Sequence, residues 1–218
     1  MKKTDIVVSL IIGLISAVIA TFILTNADWK QLPIIGEFPY LVLIVFPIGA
    51  LGMIYIANVL SKKIAVLIQI AKCFLVGVLN TFIDFGVLGV FMWIIFVEQF
   101  SKTREMVVLF GSIEIDPLYT VFKALSFSAA SINAYFWNKY WTFKKRDTKP
   151  GAREFMKLYI VTGVGFFVNV GVAALIFKNI DPFFGLTGGA WGIFAAGMAS
   201  FIAFIWNFIG YKFLVFKK

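Results

Sequence analysis

The sequence has no histidine and only one cysteine, Cys73. Without histidine it lacks the side chain whose ordinary pKa suits acid/base work near neutrality. A single thiol closes no internal disulfide and makes no zinc site by itself. The same scarcity argues against haem. No G-x-x-x-x-G-K-[ST] loop is present, so nothing points to ATP as a driver, and no G-x-S-x-G marks a serine nucleophile. No nucleophile–base pair or metal cluster is legible, so a catalytic enzyme is the least expected reading, and no cofactor is called for. Charge is also scarce. Charged residues make up 14% of the 218, where a soluble domain carries roughly a quarter.

Apolar residues fill the space: 61% are hydrophobic and the mean hydropathy is +0.94. Apolar runs recur at about 20 residues, enough to cross a hydrocarbon core of about 30 Å as a helix. They do not alternate polar and apolar, as β-barrel strands would. The expected fold is an all-α integral membrane protein with about six transmembrane helices. The spans run from about Ile6 to Leu24, Tyr40 to Leu60, Ala71 to Phe96, Leu118 to Trp137, Phe155 to Phe177 and Gly189 to Tyr211. The first follows Lys2 and Lys3, but it is long for a signal h-region and shows no cleavage site, so it reads as a retained span. Asp116-Pro117 and Asp181-Pro182 mark turns leading into the fourth and sixth spans. The loops near 97–117 and 138–154 are too short to fold as domains.

Fifteen of the 20 Lys and Arg residues fall on the side holding both termini and the 61–70 and 138–154 loops. The positive-inside rule makes that side cytoplasmic, in a multi-pass protein of the cytoplasmic membrane. The net charge of +9 is spread along membrane edges, so membrane lipids are its expected partners and nucleic acid is not.

The chain repeats itself. With Lys72 placed over Lys157, Gly77 meets Thr162, Asn80 meets Gly165, Asp84 meets Asn169 and Gly86 meets Gly171. At the far end Lys139 meets Lys212 and Phe143 meets Phe216. Spans three and four form one unit and spans five and six another, a parallel duplication with a pseudo-twofold axis along the membrane normal. Residues 1–66 make a two-helix extension, and 67–218 a four-helix core.

Asp84 is the one acidic residue well inside a predicted span, where a carboxylate costs about 2.5–3.5 kcal/mol on insertion scales unless something offsets it. Asn80 and Thr81 share its helix face. Span five carries Asn169 on the equivalent face. Two readings stand: a polar seam that takes sugar hydroxyls or a proton, or a helix–helix hydrogen bond that packs the repeats. Asn133, Asn138 and Lys139 close span four; Asn207, Tyr211 and Lys212 close span six. With Lys72 and Lys157 they gather cations and amides at one headgroup level, able to hold a phosphodiester or simply to anchor the helices. Lys123, one turn into span four, reads best as snorkelling outward; receiving a phosphate or pairing with Asp84 are the alternatives. Trp137, Trp141, Trp191 and Trp206 could stack on a sugar, Trp137 foremost. Gly192, Ala196, Gly197 and Ser200 read as a close-packing face.

FLVGVLNTFIDFGVLGVF (74–91), NAYFWNKYWTFKKR (133–146) and the terminal NFIGYKFLVFKK together resemble the GtrA family of small four-span membrane proteins. The aromatic N-[KR]-x-[WF]-x-F closure falls at Asn138–Phe143, and a weaker copy, with Tyr211 in place of Asn, falls at the end. The resemblance covers about residues 68–218. It implies movement of a polyprenyl-phosphate-linked monosaccharide between leaflets for cell-envelope polysaccharide synthesis or glycosylation. It also implies a polyprenyl-phosphate glycosyltransferase as partner. On that reading Asn80, Thr81, Asp84 and Asn169 line the sugar's path. Lys72, Lys123, Asn133, Asn138, Lys139, Lys157 and Lys212 attend the lipid phosphate. A non-transporting scaffold for the glycosyltransferase and a small proton-coupled exporter are the alternatives. Short spans enclose little volume, which favours a homo-oligomer.

Overall fold

The computed structural model describes residues 1–26, 39–95, 107–109, 113–115, 117–146, 149–182 and 188–217. Among the described residues there are six α-helices: α1 (Lys3–Asn26), α2 (Val42–Leu60), α3 (Leu67–Ile95), α4 (Pro117–Trp137), α5 (Ala152–Asn179) and α6 (Gly188–Gly210). Their bounds fall within a few residues of those expected. Pro117 is the first residue of α4, where its missing N–H has no intrahelical partner to lose. Between α3 and α4 a short antiparallel ribbon pairs β1 (Val107–Leu109) with β2 (Ile113–Ile115), Val108 opposite Glu114. Residues 107–109 and 113–115 lie within the stretch expected to be loop.

Among the described residues five helical segments are long and apolar enough to cross a membrane: Lys3–Thr25, Pro39–Leu60, Leu67–Phe91, Ala152–Asn179 and Phe194–Val215. α4 has the length but is more polar, because Lys123, Ser126, Ser128, Ser131 and Asn133 all lie along it. Large apolar side chains stay exposed on the helices, Phe167 to 74%, as lipid-facing surfaces require.

The chain divides into two units, Met1–Ala134 and Tyr135–Lys218. In the first, α1 packs against both α2 and α3. Its buried positions, Asp5, Ser9, Ile12, Ser16, Ala17 and Ala20, recur at helical spacing. Most are small, which brings helix backbones close in a setting where lipid supplies no hydrophobic drive. A Cβ on Gly13 would stand 2.7 Å from the Pro47 Cα, so α1 and α2 cross there only because Gly13 has none. Gly86 of α3 likewise meets Ile19 of α1, and Phe46 packs on Phe82 at 5.3 Å between ring centres. Asp5 and Lys72 form a buried ion pair that joins α1 to the start of α3.

In the second unit α5 and α6 pack along their length. On α6 Trp191, Ala195, Ala199 and Ala203 are buried, and on α5 Leu158, Val161 and Gly165 are. Of the expected packing face, Gly192 lies beside Phe177 and Ser200 bonds Asn169, both of α5, although Ala196, Gly197 and Ser200 are exposed. By contrast Ala195, Ala199 and Ala203 are enclosed.

α4 and α6 end alike. Each opens into one wide π-turn, Asn138–Thr142 and Tyr211–Val215. Each turn closes with the N–H of a phenylalanine donating five residues back: Phe143 to the Asn138 carbonyl at 2.8 Å, Phe216 to the Tyr211 carbonyl at 2.7 Å. The rings then interlock. Tyr135 stacks on Phe216 at 6.1 Å and 28°, while Phe208 meets Phe143 at 6.2 Å and 32°. The repeat places Tyr135 over Phe208 and Phe143 over Phe216, so one contact is the other with its partners exchanged. That reciprocity is the mark of a twofold relation between the two closures.

Candidate functional site

Asn80 and Asp84 of α3 turn toward α4. Asn80 accepts a hydrogen bond from the Asn133 amide of α4 at 2.6 Å. One turn further along α3, Asp84 forms an ion pair with Lys123 of α4 and accepts a hydrogen bond from the Ser126 hydroxyl at 2.6 Å. Ser126 is fully buried, and its hydroxyl also lies 3.0 Å from the Lys123 carbonyl. The antiparallel run of α3 and α4 makes this possible: Asn80 and Asp84 advance along one helix as Asn133, Ser126 and Lys123 recede along the other. The result is a ladder of polar cross-links between two helices. Thr81 stays outside it and bonds the Gly77 carbonyl within its own helix.

The expectation that Lys123 snorkels is therefore corrected. A carboxylate and an ammonium within reach in a poorly solvated place hold each other, because each offsets the other's desolvation. The Lys123 side chain is one-third exposed and its ammonium lies 5.7 Å from the Phe85 ring centre; Asp84 is 17% exposed. Beside the pair, Phe91 stacks on Phe122 at 5.3 Å. On the α1 side of α3, residues such as Val18, Phe22, Ile83, Val87 and Phe91 line a wholly apolar groove of about 420 Å³.

In the second unit the equivalent face of α5 is tied to α6. The Thr162 and Tyr211 hydroxyls are 2.7 Å apart, the Trp206 indole donates to the Val161 carbonyl at 3.1 Å, and the Asn169 amide donates to the Ser200 hydroxyl at 2.9 Å. Gly165 lets the Asn207 amide come against its backbone. Asn169 thus spends its amide within its own helix pair, as Asn80 and Asp84 do within theirs. No charge replaces the Asp84–Lys123 pair, since the repeat puts Asn169 and Ala196 there.

The expected phosphate set separates into two kinds. Lys72 is 2% exposed and paired with Asp5; Lys139 is fully enclosed and paired with Glu154. The Lys139 ammonium also donates to the Tyr135 hydroxyl and the Lys149 carbonyl, both at 3.3 Å, and Tyr135 donates to Glu154 at 3.1 Å. Burial alone would lower the Lys139 pKa; the hydrogen bonds to Glu154 and Tyr135 and the Glu154 charge outweigh it and hold it above the usual lysine value. The neighbouring Asn138 is 1% exposed. Asn138 and Lys139 are thus enclosed, and Lys139 fastens the segment after α4 to the start of α5. Asn133 is taken up by Asn80. Lys157 is exposed, and Lys212 is half-buried over the Phe208 and Phe213 rings at 5.7 and 5.5 Å. Neither has a carboxylate partner among the described residues. Trp141 and Trp191 are buried, Trp206 is 40% exposed with its indole N–H on the Val161 carbonyl, and Trp137 is half-buried, edge-on to Trp141 at 6.4 Å.

Sequence reasoning missed Asp5 and Glu154. The signals were present: Asp5 is the lone acid in the first turn of an apolar helix, and Glu154 sits in the first turn of α5, close in sequence to a lysine written into a family motif.

Long apolar helices, lipid-facing surfaces and polar side chains turned inward define a multi-pass α-helical membrane protein. Residues 72–216 match the model of the GtrA/DPMS transmembrane domain, and the chain belongs to that family. No curated protein and no solved structure gives a match.

Proposed function

We propose that the protein moves a polyprenyl-phosphate-linked monosaccharide across the cytoplasmic membrane, for cell-envelope polysaccharide synthesis or glycosylation, with the α3–α4 ladder as the polar path. The supporting observation is the half-open Asp84–Lys123–Ser126 cluster, continued by Asn80–Asn133, inside helices that are otherwise apolar. A sugar leaving water needs donors and acceptors in place of its hydration, and this ladder supplies both. Family membership points the same way. On this reading Lys157 and Lys212 attract the lipid phosphate at the cytoplasmic surface, which the excess of Lys and Arg assigns to the side of the termini. A polyprenyl-phosphate glycosyltransferase would supply the substrate, and a homo-oligomer would enclose more volume than one chain.

The deciding experiment reconstitutes the purified chain into vesicles with a lipid-linked sugar and follows its transfer between leaflets. Wild type should accelerate transfer, and Asp84→Ala should fall to the level of empty vesicles while keeping a helical circular-dichroism spectrum. Full activity in Asp84→Ala would sink the assignment. The fact that every ladder group is cross-linked favours one competing reading, a rigid membrane anchor for a glycosyltransferase. That reading requires no transfer by wild type and co-purification with the enzyme.

A further inference from the structure

Among the described residues Lys72, Lys123 and Lys139 are paired with carboxylates, and they are not built alike. Lys72 and Lys139 are shut in, 2% and 0% exposed. Lys123 is one-third exposed, on a pair whose carboxylate keeps a second donor, the buried Ser126 hydroxyl, on its other oxygen. A pair meant only to join two helices gains by enclosure, because water and lipid headgroups then cannot compete. A pair left open on its cationic side, with its anion held independently, can exchange partners.

We propose that Asp84 is the resting stand-in for a phosphate, and that an anionic phosphate headgroup displaces it from Lys123 during the passage of substrate. This rests on the reading of the protein as a carrier of a phosphate-linked lipid, and it adds the site and the manner of engagement. When the phosphate arrives, the Lys123 ammonium swings from the Asp84 carboxylate to the phosphate oxygens. Asp84 keeps its bond from Ser126, so it is not left as an isolated buried charge. The Phe85 ring beside the ammonium stabilises the cation through the swing. When the phosphate leaves, Asp84 recaptures Lys123, which lowers the cost of release and keeps the site from trapping its cargo. The second repeat has Asn169 and Ala196 at these places, so the exchange belongs to the first repeat alone.

Binding is the direct test. The full chain in nanodiscs is titrated with polyprenyl monophosphate, with phosphatidylglycerol as a general anionic lipid and with inorganic phosphate. The readout is native mass spectrometry or intrinsic tryptophan fluorescence. Removing the competitor in Asp84→Asn should tighten polyprenyl phosphate binding by about tenfold, as loss of a competing interaction of about 1.4 kcal/mol would. Lys123→Met should lose binding, and Lys123→Arg should keep it. Ser126→Ala should weaken it, because the displaced carboxylate then has no partner. If inorganic phosphate alone reproduces the pattern, the site reads the phosphate group; if only the polyprenyl lipid does, the tail contributes. A folded Asp84→Asn that binds no tighter, or a folded Lys123→Met that binds as well as wild type, overturns the proposal. Should Asp84→Asn not fold, an unchanged affinity in Ser126→Ala overturns it. The assay contains no sugar and measures no transfer, so its failure is separable from failure of the transport reading.

Discussion

Phe143 and Phe216 stack on each other, ring centres 5.1 Å apart and planes 24° apart. The internal repeat makes them the same residue written twice. These rings close the ends of α4 and α6, so the approximate twofold relating the two closures passes between them. Both rings are buried, Phe143 at 8% and Phe216 at 3% exposure.

Truncating either ring should therefore destabilise the second unit. Phe216→Ala should cost about 3–5 kcal/mol, the range for a buried phenylalanine. A double-mutant cycle with Phe143→Ala should show a coupling of about 0.5–1.5 kcal/mol from the ring pair itself. Chemical denaturation in detergent, followed by circular dichroism, measures both. Additive losses would mean that the two rings are only neighbours.

Glu154→Gln should be worse than losing the whole pair. It leaves the Lys139 ammonium buried without its anion, at a cost of about 3–5 kcal/mol, whereas Lys139→Met with Glu154→Leu removes both charges and should recover much of that. Thermal melts of wild type and the two variants give the order. A double variant less stable than Glu154→Gln would contradict the ion-pair account.

The Lys139 contribution has a defined pH range. Its folded pKa lies above the ordinary lysine value, so the folded state binds the proton more tightly than the unfolded chain. The stabilisation is full below the unfolded pKa of about 10.4 and fades as pH rises through the folded one. The stability gap between wild type and Lys139→Met should stay constant from about pH 7 to 9 and shrink only in stronger alkali.

The ion pair Asp5–Lys72 should make α1 part of the fold and not an accessory. Lys72→Met should cost about 3–5 kcal/mol by stranding Asp5. The exchanged pair, Asp5→Lys with Lys72→Asp, should restore most of it. The melting temperature reports the loss. The accessibility of Cys73, buried beside Lys72, to a maleimide reports whether α1 has come away from α3.

Gly210→Ala sets two effects against each other. Alanine favours a helix over glycine by about 1 kcal/mol. A methyl group there would run into Val161, whose branched side chain is stiff, at a cost of about 1–3 kcal/mol. The clash should win, and Val161→Ala in the same chain should reverse the loss. Without that rescue, the close approach of α5 and α6 is not the cause.

Much of this protein was legible from residue types and spacing. Backbone groups in hydrocarbon must bond within their own helix, so a run of about 20 apolar residues leaves few alternatives to a span. The helix bounds, the duplicated closures and the family motifs all followed from local pattern. The polar residues on α3 were found for the same reason: in a membrane a lone Asp84 stands out against its surroundings.

What each polar group bonds to was not local and could not be read along the chain. Asp5 and Lys72 are 67 residues apart, Asp84 and Lys123 are 39 apart, and Asn80 and Asn133 are 53 apart. A helix face says which residues point the same way, not which neighbour they meet. Sequence periodicity located the small residues of α6, but the approach of α5 is what sets Gly192 beside Phe177 and Ser200 on Asn169. The sequence by itself determined that polar side chains must be hidden in these helices, since lipid solvates none of them. Only the tertiary structure decided that Lys72 and Lys139 are closed and Lys123 is open, because enclosure depends on how neighbouring helices pack over each pair.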